Sequence, residues 1–167
     1  MQKVLMVWMA ALLLLLPATM ARSGEHRLGG GVNYWVALED LDEDDVDEDG
    51  FSYLFSYQYM MDWIGIELDV ELLPDRFGED AVAPAAWFLL GETLYAGAGV
   101  GIANYDGDFA DEPFFALRAG LNLEVLPSLY ADLSVNYRFN DEADLEDDDR
   151  NIDTDTLFLG AAVRFSL

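Results

Sequence analysis

Charged residues occur at every second position within otherwise apolar stretches of this chain. The clearest stretch is 64–72, in which Glu67, Asp69 and Glu71 alternate with mostly aliphatic residues. In an extended strand this spacing places the carboxylates on one face and the aliphatic side chains on the other. Arginines occupy equivalent positions in later stretches, so opposite charges would meet on a shared face. The charged residues assigned to this face are Glu67, Asp69, Glu71, Arg118, Glu124, Asp132, Arg138 and Arg164.

A second group of acidic residues has the spacing of the first half of a calcium-binding loop. Residues 45–50 read D-x-D-x-D-G, with Asp45, Asp47 and Asp49 as the candidate oxygen ligands. The twelfth position of such a loop requires a glutamate, but Ser56 lies there. We therefore predict no EF-hand. Two interpretations stay open, a looser binding of Ca²⁺ or Mg²⁺ and a simple solvated acidic surface, and the second is favoured.

The single histidine, His26, offers no catalytic arrangement. Hydrolases that act through a nucleophile need a base beside it, and His26 merely precedes the first alternating stretch. We therefore predict that the protein is not an enzyme and carries no cofactor. The chain has no cysteine, so neither disulfides nor thiolate metal sites are predicted.

The composition combines extreme acidity with a high apolar content. The 33 acidic residues outnumber the 8 basic ones and give a net charge of −25. Nucleic acid is excluded as a partner, because phosphate contacts require lysine and arginine. With 53% hydrophobic residues the chain is also too apolar for disorder. Charged and apolar residues must therefore be segregated.

Residues 1–21 have the pattern of a secretory signal peptide. Lys3 precedes an apolar run that ends at Pro17, and small residues follow up to Ala21. The apolar run is shorter than the roughly 20 residues of a membrane-spanning helix. We predict cleavage after Ala21 and a single domain over residues 22–167.

Period-two alternation recurs in eight stretches of the predicted domain and indicates an all-β fold. Three connections between them are tight turns, and the other four are the longer segments 39–50, 74–80, 105–112 and 140–155, which hold 25 of the 33 acidic residues. Stretch 83–90 is apolar on both faces, so its inward face is left unassigned. The predicted strands are 28–38, 51–59, 64–72, 83–90, 94–104, 115–124, 129–139 and 157–167.

Strands of about nine to eleven residues, joined alternately by short turns and long loops, are typical of an eight-stranded, antiparallel, up-and-down transmembrane β-barrel. In such a barrel, strand 157–167 must pair with strand 28–38 so that no edge remains. A lipocalin-like soluble barrel would show the same alternation. The membrane barrel is favoured because one face combines charges with glycines such as Gly97, Gly99 and Gly120, which suits a narrow, filled interior.

The charges of this interior face admit two interpretations. They could line a narrow channel or transporter for small solutes or apolar molecules, or they could pair with one another and plug the lumen. Unpaired charges are costly to bury, and eight strands enclose little space. The plug is therefore favoured.

The sequence resembles the eight-stranded outer-membrane β-barrel family, which includes the OmpA transmembrane domain, OmpX and the opacity-type proteins. The similar segments are YLFSYQYMMDWIGIELDVEL (53–72), YAGAGVGIANYD (95–106), ADLSVNYRF (131–139) and TLFLGAAVRFSL (156–167). This resemblance implies a monomer in the outer membrane of a Gram-negative bacterium, in contact with lipid and lipopolysaccharide. It also implies insertion by the barrel assembly machinery through the C-terminal strand, although an aromatic last residue is usual and Leu167 stands there. The implied role is structural or surface-interacting, with Ca²⁺ or Mg²⁺ as possible bridges between the acidic loops and lipopolysaccharide.

Overall fold

The structure, a computed structural model, describes residues 24–38, 49–76, 79–105, 108–110, 112–145 and 150–167. Within these residues the chain is all-β. None of them belongs to a helix long and apolar enough to cross a membrane. The strands are β1 (Glu25–Ala37), β2 (Asp49–Met61), β3 (Ile64–Arg76), β4 (Glu79–Gly91), β5 (Leu94–Gly101), β6 (Asn104–Tyr105), β7 (Asp108–Phe109), β8 (Phe114–Leu126), β9 (Leu129–Leu145) and β10 (Arg150–Ser166).

Eight long strands form a closed antiparallel barrel. Each pairs with its neighbours in the order β3, β2, β1, β10, β9, β8, β5, β4, and β4 returns to β3. The closing ladder between β1 and β10 runs from Arg27 opposite Ser166 to Ala37 opposite Thr156. The predicted fold class and the predicted pairing of the last strand with the first are both confirmed.

Of the two short strands, β6 continues β5 and β7 pairs antiparallel with β6. Asn104 in β6 pairs with Val82 of β4, in the same register as Gly101 of β5 with Ala85. Between them Ile102 N donates to Pro84 O over 3.1 Å. Pro84 has no N–H to return that bond, which accounts for the interruption. β5 and β6 together therefore correspond to the predicted strand 94–104.

Two predicted loops are shorter in the structure than the sequence suggested. β3 continues to Arg76 and β4 begins at Glu79, inside the predicted loop 74–80. Likewise, β9 and β10 extend to Leu145 and from Arg150, inside the predicted loop 140–155. The predictions ended each strand where the apolar alternation ended. Backbone pairing does not require apolar side chains, so the ladders continue into polar sequence.

The opposite end of the barrel has the three predicted tight turns. They lie at residues 62–63, 92–93 and 127–128. Asp62 and Ser128 adopt φ values of 49° and 64°, and Gly91 adopts 114°. Positive φ values such as those of Asp62 and Ser128 are common in two-residue connections between antiparallel strands, whereas Gly91 is the last residue of β4, just before the turn at 92–93.

The two faces of the barrel differ sharply. Outward residues are large and apolar, and Phe55, Leu133 and Leu159 each keep more than half of their surface exposed. Inward residues include glutamates, aspartates and arginines that are almost completely buried. The structure also assigns the face of β4, which the sequence left open. Trp87 and Leu89 point inward, and Phe88 and Leu90 point outward.

Glycines inside the barrel lie directly opposite large side chains. Gly99 faces Trp87 across the β4–β5 ladder, and Gly120 faces Tyr95 across β5–β8. A Cβ atom at Gly99 would come within 2.5 Å of the Trp87 ring, and one at Gly120 within 2.7 Å of the Tyr95 ring. The glycines therefore make room for aromatic side chains in a narrow lumen.

Candidate functional site: the charge network of the lumen

The structure brings seven of the eight charged residues named above into the lumen. Glu67, Asp69, Glu71, Arg118, Asp132, Arg138 and Arg164 are all buried there, and we call them the lumen network.

Glu124 is the exception, and its assignment to the interior face is corrected. Its side chain is exposed and accepts a hydrogen bond from Ser128 N in the β8–β9 turn, at 3.2 Å. A register shift lies just beyond it, and the last buried lumen position of β8 is Asn122. Glu124 is still paired with Tyr130, but it lies at the rim of the barrel, where its side chain reaches solvent and the β8–β9 turn.

Glu67 lies at the centre of the lumen network and is fully buried. Its Oε1 is 2.8 Å from Arg118 Nη1, and both of its oxygens are 3.1 Å from Arg164 Nη2. Gln58 Nε2 also donates to Oε2 over 2.9 Å. Glu67 belongs to β3, and both β8 and β10 stand three positions away around the barrel. These bonds therefore cross the lumen.

Asp69 binds the other side of Arg118. Its Oδ2 is 3.2 Å from Arg118 Nη2 and accepts a 2.8 Å hydrogen bond from Trp87 Nε1. The guanidinium lies 3.8 Å from the centre of the Trp87 ring, and its Nε donates to Asn136. Arg118 is thus held by two carboxylates, an amide and an aromatic face, which fixes its position.

Asp132 pairs with Arg164 from β10. The two groups are 3.1 Å apart, between Asp132 Oδ2 and Arg164 Nη1. Tyr95 OH donates to Asp132 Oδ1 and Arg164 Nε donates to Ser56 Oγ, each over 3.1 Å. Arg164 therefore ties the last strand to β2, β3 and β9 from inside the barrel.

Glu71 and Arg138 form the part of the lumen network nearest the long connections. Arg138 donates to Glu71, which also accepts hydrogen bonds from Asn33 and Ser52. The Arg138 guanidinium lies 4.0 Å from the centre of the Phe158 ring and 4.4 Å from that of Phe114. This end of the lumen is consequently aromatic as well as charged.

Two buried arginines were not assigned to the lumen from the sequence. Arg27 lies one residue before the predicted start of the first strand, but the phase that turns Gly29 inward also turns Arg27 inward. Arg76 fell in a predicted loop. A register shift between Leu73 and Arg76 changes its parity, so alternation alone could not have placed it. In the structure, Arg76 Nη2 donates to Thr156 Oγ1 over 3.1 Å.

The calcium-like motif is only partly covered. Asp45 and Asp47 lie outside the described residues. Asp49 is exposed at the start of β2 and accepts a 2.6 Å hydrogen bond from Tyr34 OH. In the described part of the chain, no group of three histidine, aspartate or glutamate side chains is placed to hold a metal ion.

A closed sheet with an apolar exterior and a filled polar interior defines a transmembrane β-barrel, since only closure satisfies every backbone group in lipid. Solved structures agree with this fold. Neisserial surface protein A (NspA) matches with a TM-score of 0.65 at 16% identity, over 87% of this chain and 100% of that one. The N-terminal barrel domain of Pseudomonas aeruginosa OprF matches with a TM-score of 0.53 at 15% identity, over 87% and 100%. OprG from the same organism gives 0.52 at 15% identity, over 86% and 97%.

No protein-family model and no curated protein sequence matches this chain. The similarity to the solved structures therefore concerns the architecture. The fold is that of the small eight-stranded outer-membrane β-barrels, as the sequence resemblance implied.

Proposed function

We propose that this protein is an outer-membrane barrel with a closed lumen, which acts at the cell surface as a structural or contact-making element. The observation that carries the proposal is the pair of arginines, Arg118 and Arg164, held across the lumen by Glu67. Breaking a buried ion pair of this kind costs about 3–5 kcal/mol. Because these bonds cross the centre of the barrel, we expect them to leave no continuous path for water and ions.

Conductance in a planar lipid bilayer tests the closed lumen against the narrow-channel alternative. We expect neither the parent protein nor Arg138→Ala to show large, stable single-channel conductance. In the variant, the Glu67 contacts still block the centre of the barrel. Large and stable conductance in both proteins would overturn the proposal.

We further propose that the chain is exported through a signal peptide cleaved after Ala21 and works as a monomer in the outer membrane of a Gram-negative bacterium. Residues 1–21 lie outside the described part of the chain, so this rests on their sequence pattern. Insertion would use the barrel assembly machinery, which would contact β10. The outward exposure of Phe165 and Leu167 supports such contact.

A second component of the proposal concerns divalent cations at the acidic connections. Every arginine whose side chain the structure describes is buried inside the barrel: Arg27, Arg76, Arg118, Arg138 and Arg164. The long connections therefore carry their acids with almost no compensating cation. We infer that Ca²⁺ or Mg²⁺ would bridge these carboxylates to the phosphates of lipopolysaccharide.

A further inference from the structure

The two ends of the lumen are closed by different chemistry. At the end with the long connections, Glu71 and Arg138 are buried among large apolar side chains. Trp35, Leu73, Phe114 and Phe158 are each at most 2% exposed there. At the end with the tight turns, the side of the lumen formed by β1, β2 and β9 is closed by polar side chains around a single arginine, Arg27.

Arg27 is unusually well held for a residue so close to the barrel rim. It is only 4% exposed, and its guanidinium lies 3.7 Å from the centre of the Tyr130 ring of β9. Its Nη2 pairs with Glu25 Oε2 at 2.7 Å, and its Nη1 donates to Gln58 Oε1 of β2 at 3.3 Å. The side chain therefore covers the side of the mouth that β2, β1, β10 and β9 form.

Gln58 connects this closure to the lumen network. While its carbonyl oxygen accepts from Arg27, its amide nitrogen donates to Glu67. Other charged residues at this rim, among them Asp62, Glu92 and Glu124, are exposed acids and cannot replace a guanidinium. Without Arg27, polar groups would line a route from the rim to Glu67. Glu25 would have lost its ion pair with Arg27, and its charge would favour the entry of water into this route.

We propose that Arg27 seals the mouth of the lumen at the tight-turn end, which faces the periplasm in this class of barrel. Its removal opens a water-filled chamber that reaches the Glu67 contacts and ends blindly there. This inference rests on the closed lumen proposed above. It identifies the end from which water could enter the lumen and the residue that prevents this entry.

Cysteine labelling tests the seal directly, because the chain has no cysteine of its own. Ser56→Cys places a thiol near Arg164, one inward position beyond Gln58. Ser52→Cys is the matched control on the same strand, beside Glu71 and on the far side of the Glu67 level. The purified, folded proteins are treated with a small cationic methanethiosulfonate, with and without Arg27→Ala. Only the fraction that keeps the mobility of the folded barrel on unheated gels is counted.

We expect Arg27→Ala to raise the labelling rate at position 56 by at least about tenfold, the factor for losing one hydrogen bond to a charged group. Position 52 should stay unreactive. Arg76→Ala, which removes a buried arginine at the other end, should leave the rate at position 56 unchanged. If Arg27→Ala does not fold, Tyr130→Leu removes the ring under the guanidinium and should give a rise in the same direction.

An unchanged rate at position 56 in a folded Arg27 variant would overturn the seal. An equal rise at positions 52 and 56 would overturn the blind end. Conductance of the parent protein reports separately on the closed lumen. If the parent protein does not conduct and position 56 stays unreactive with and without Arg27→Ala, the seal by Arg27 is rejected and the closed lumen is retained.

Discussion

At the residue scale, adjacent side chains of one strand meet opposite environments. In β3, Glu67 and Asp69 are buried among arginines, whereas Leu68 between them points outward. The alternation was readable from the sequence because a strand has a strict period of two. It failed at Arg76, where a register shift changes the face, and at Glu124, which reaches solvent at the rim just before a second register shift. Those shifts depend on pairing with a neighbouring strand, so one stretch of sequence could not show them.

Replacing Leu68 with arginine tests the outward assignment. If this position meets lipid near the middle of the bilayer, Leu68→Arg should lower the free energy of unfolding by about 2–4 kcal/mol. Leu72→Arg is the matched control. It lies on the same outward face, four residues nearer the long-connection end, and should cost about 0–1 kcal/mol near the interface. Reversible urea unfolding in lipid vesicles measures both. Equal, negligible costs at the two positions would mean that this face does not contact lipid.

At the element scale, the strands fit together because large interior residues lie opposite glycines. The run of alternating glycines in stretch 94–104 indicated a crowded face, and this much could be predicted. The partners could not, since stretch 83–90 is apolar on both faces and gives no phase. The pairing of β4 with β5 resolves it by placing Trp87 over Gly99. In that position the indole N–H donates a hydrogen bond to Asp69, and this bond favours the inward orientation of Trp87.

Gly99→Ala should therefore destabilise the barrel. Its Cβ would meet ring atoms of Trp87 at 2.5 Å, and the ring has little room to retreat because Arg118 is stacked on it. Overpacking of this kind costs about 1–3 kcal/mol. We expect the midpoint of urea unfolding to fall accordingly. When Trp87 is already replaced by leucine, adding Gly99→Ala should lower the midpoint less than it does in the parent protein.

Gly30→Ala serves as the control, because Gly30 points outward and its Cβ would meet Leu54 O at 3.1 Å and a Phe55 ring atom at 3.6 Å, both farther than the 2.5 Å contact at Gly99. A loss at Gly30 as large as that at Gly99 would show that general strand effects, and not the Trp87 contact, are responsible.

At the scale of the whole molecule, opposite charges are distributed unequally. The arginines with described side chains are inside the barrel, and 25 of the 33 acids belong to the four segments predicted as long connections. Composition and spacing alone could predict a barrel with acidic loops. They predicted an inward position for Arg118, Arg138 and Arg164, but not for Arg27 and Arg76, which lay outside the predicted strands. We therefore propose that ions from solution relieve the repulsion between the acids of these connections.

This charge distribution predicts measurable binding of divalent cations. Calorimetric titration of the folded protein with CaCl₂ should give a dissociation constant of about 10⁻³ M, typical of weak extracellular sites, and added salt should weaken it. Replacing the acids at positions 146–149 by glutamine or asparagine should reduce the binding, because it removes four of the acids in segment 140–155. Replacing Glu92 and Glu124 by glutamine, at the tight-turn end, should leave it unchanged. If the folded parent protein binds no Ca²⁺ in the millimolar range, the bridge to lipopolysaccharide is lost, and the acidic connections serve only as a solvated surface.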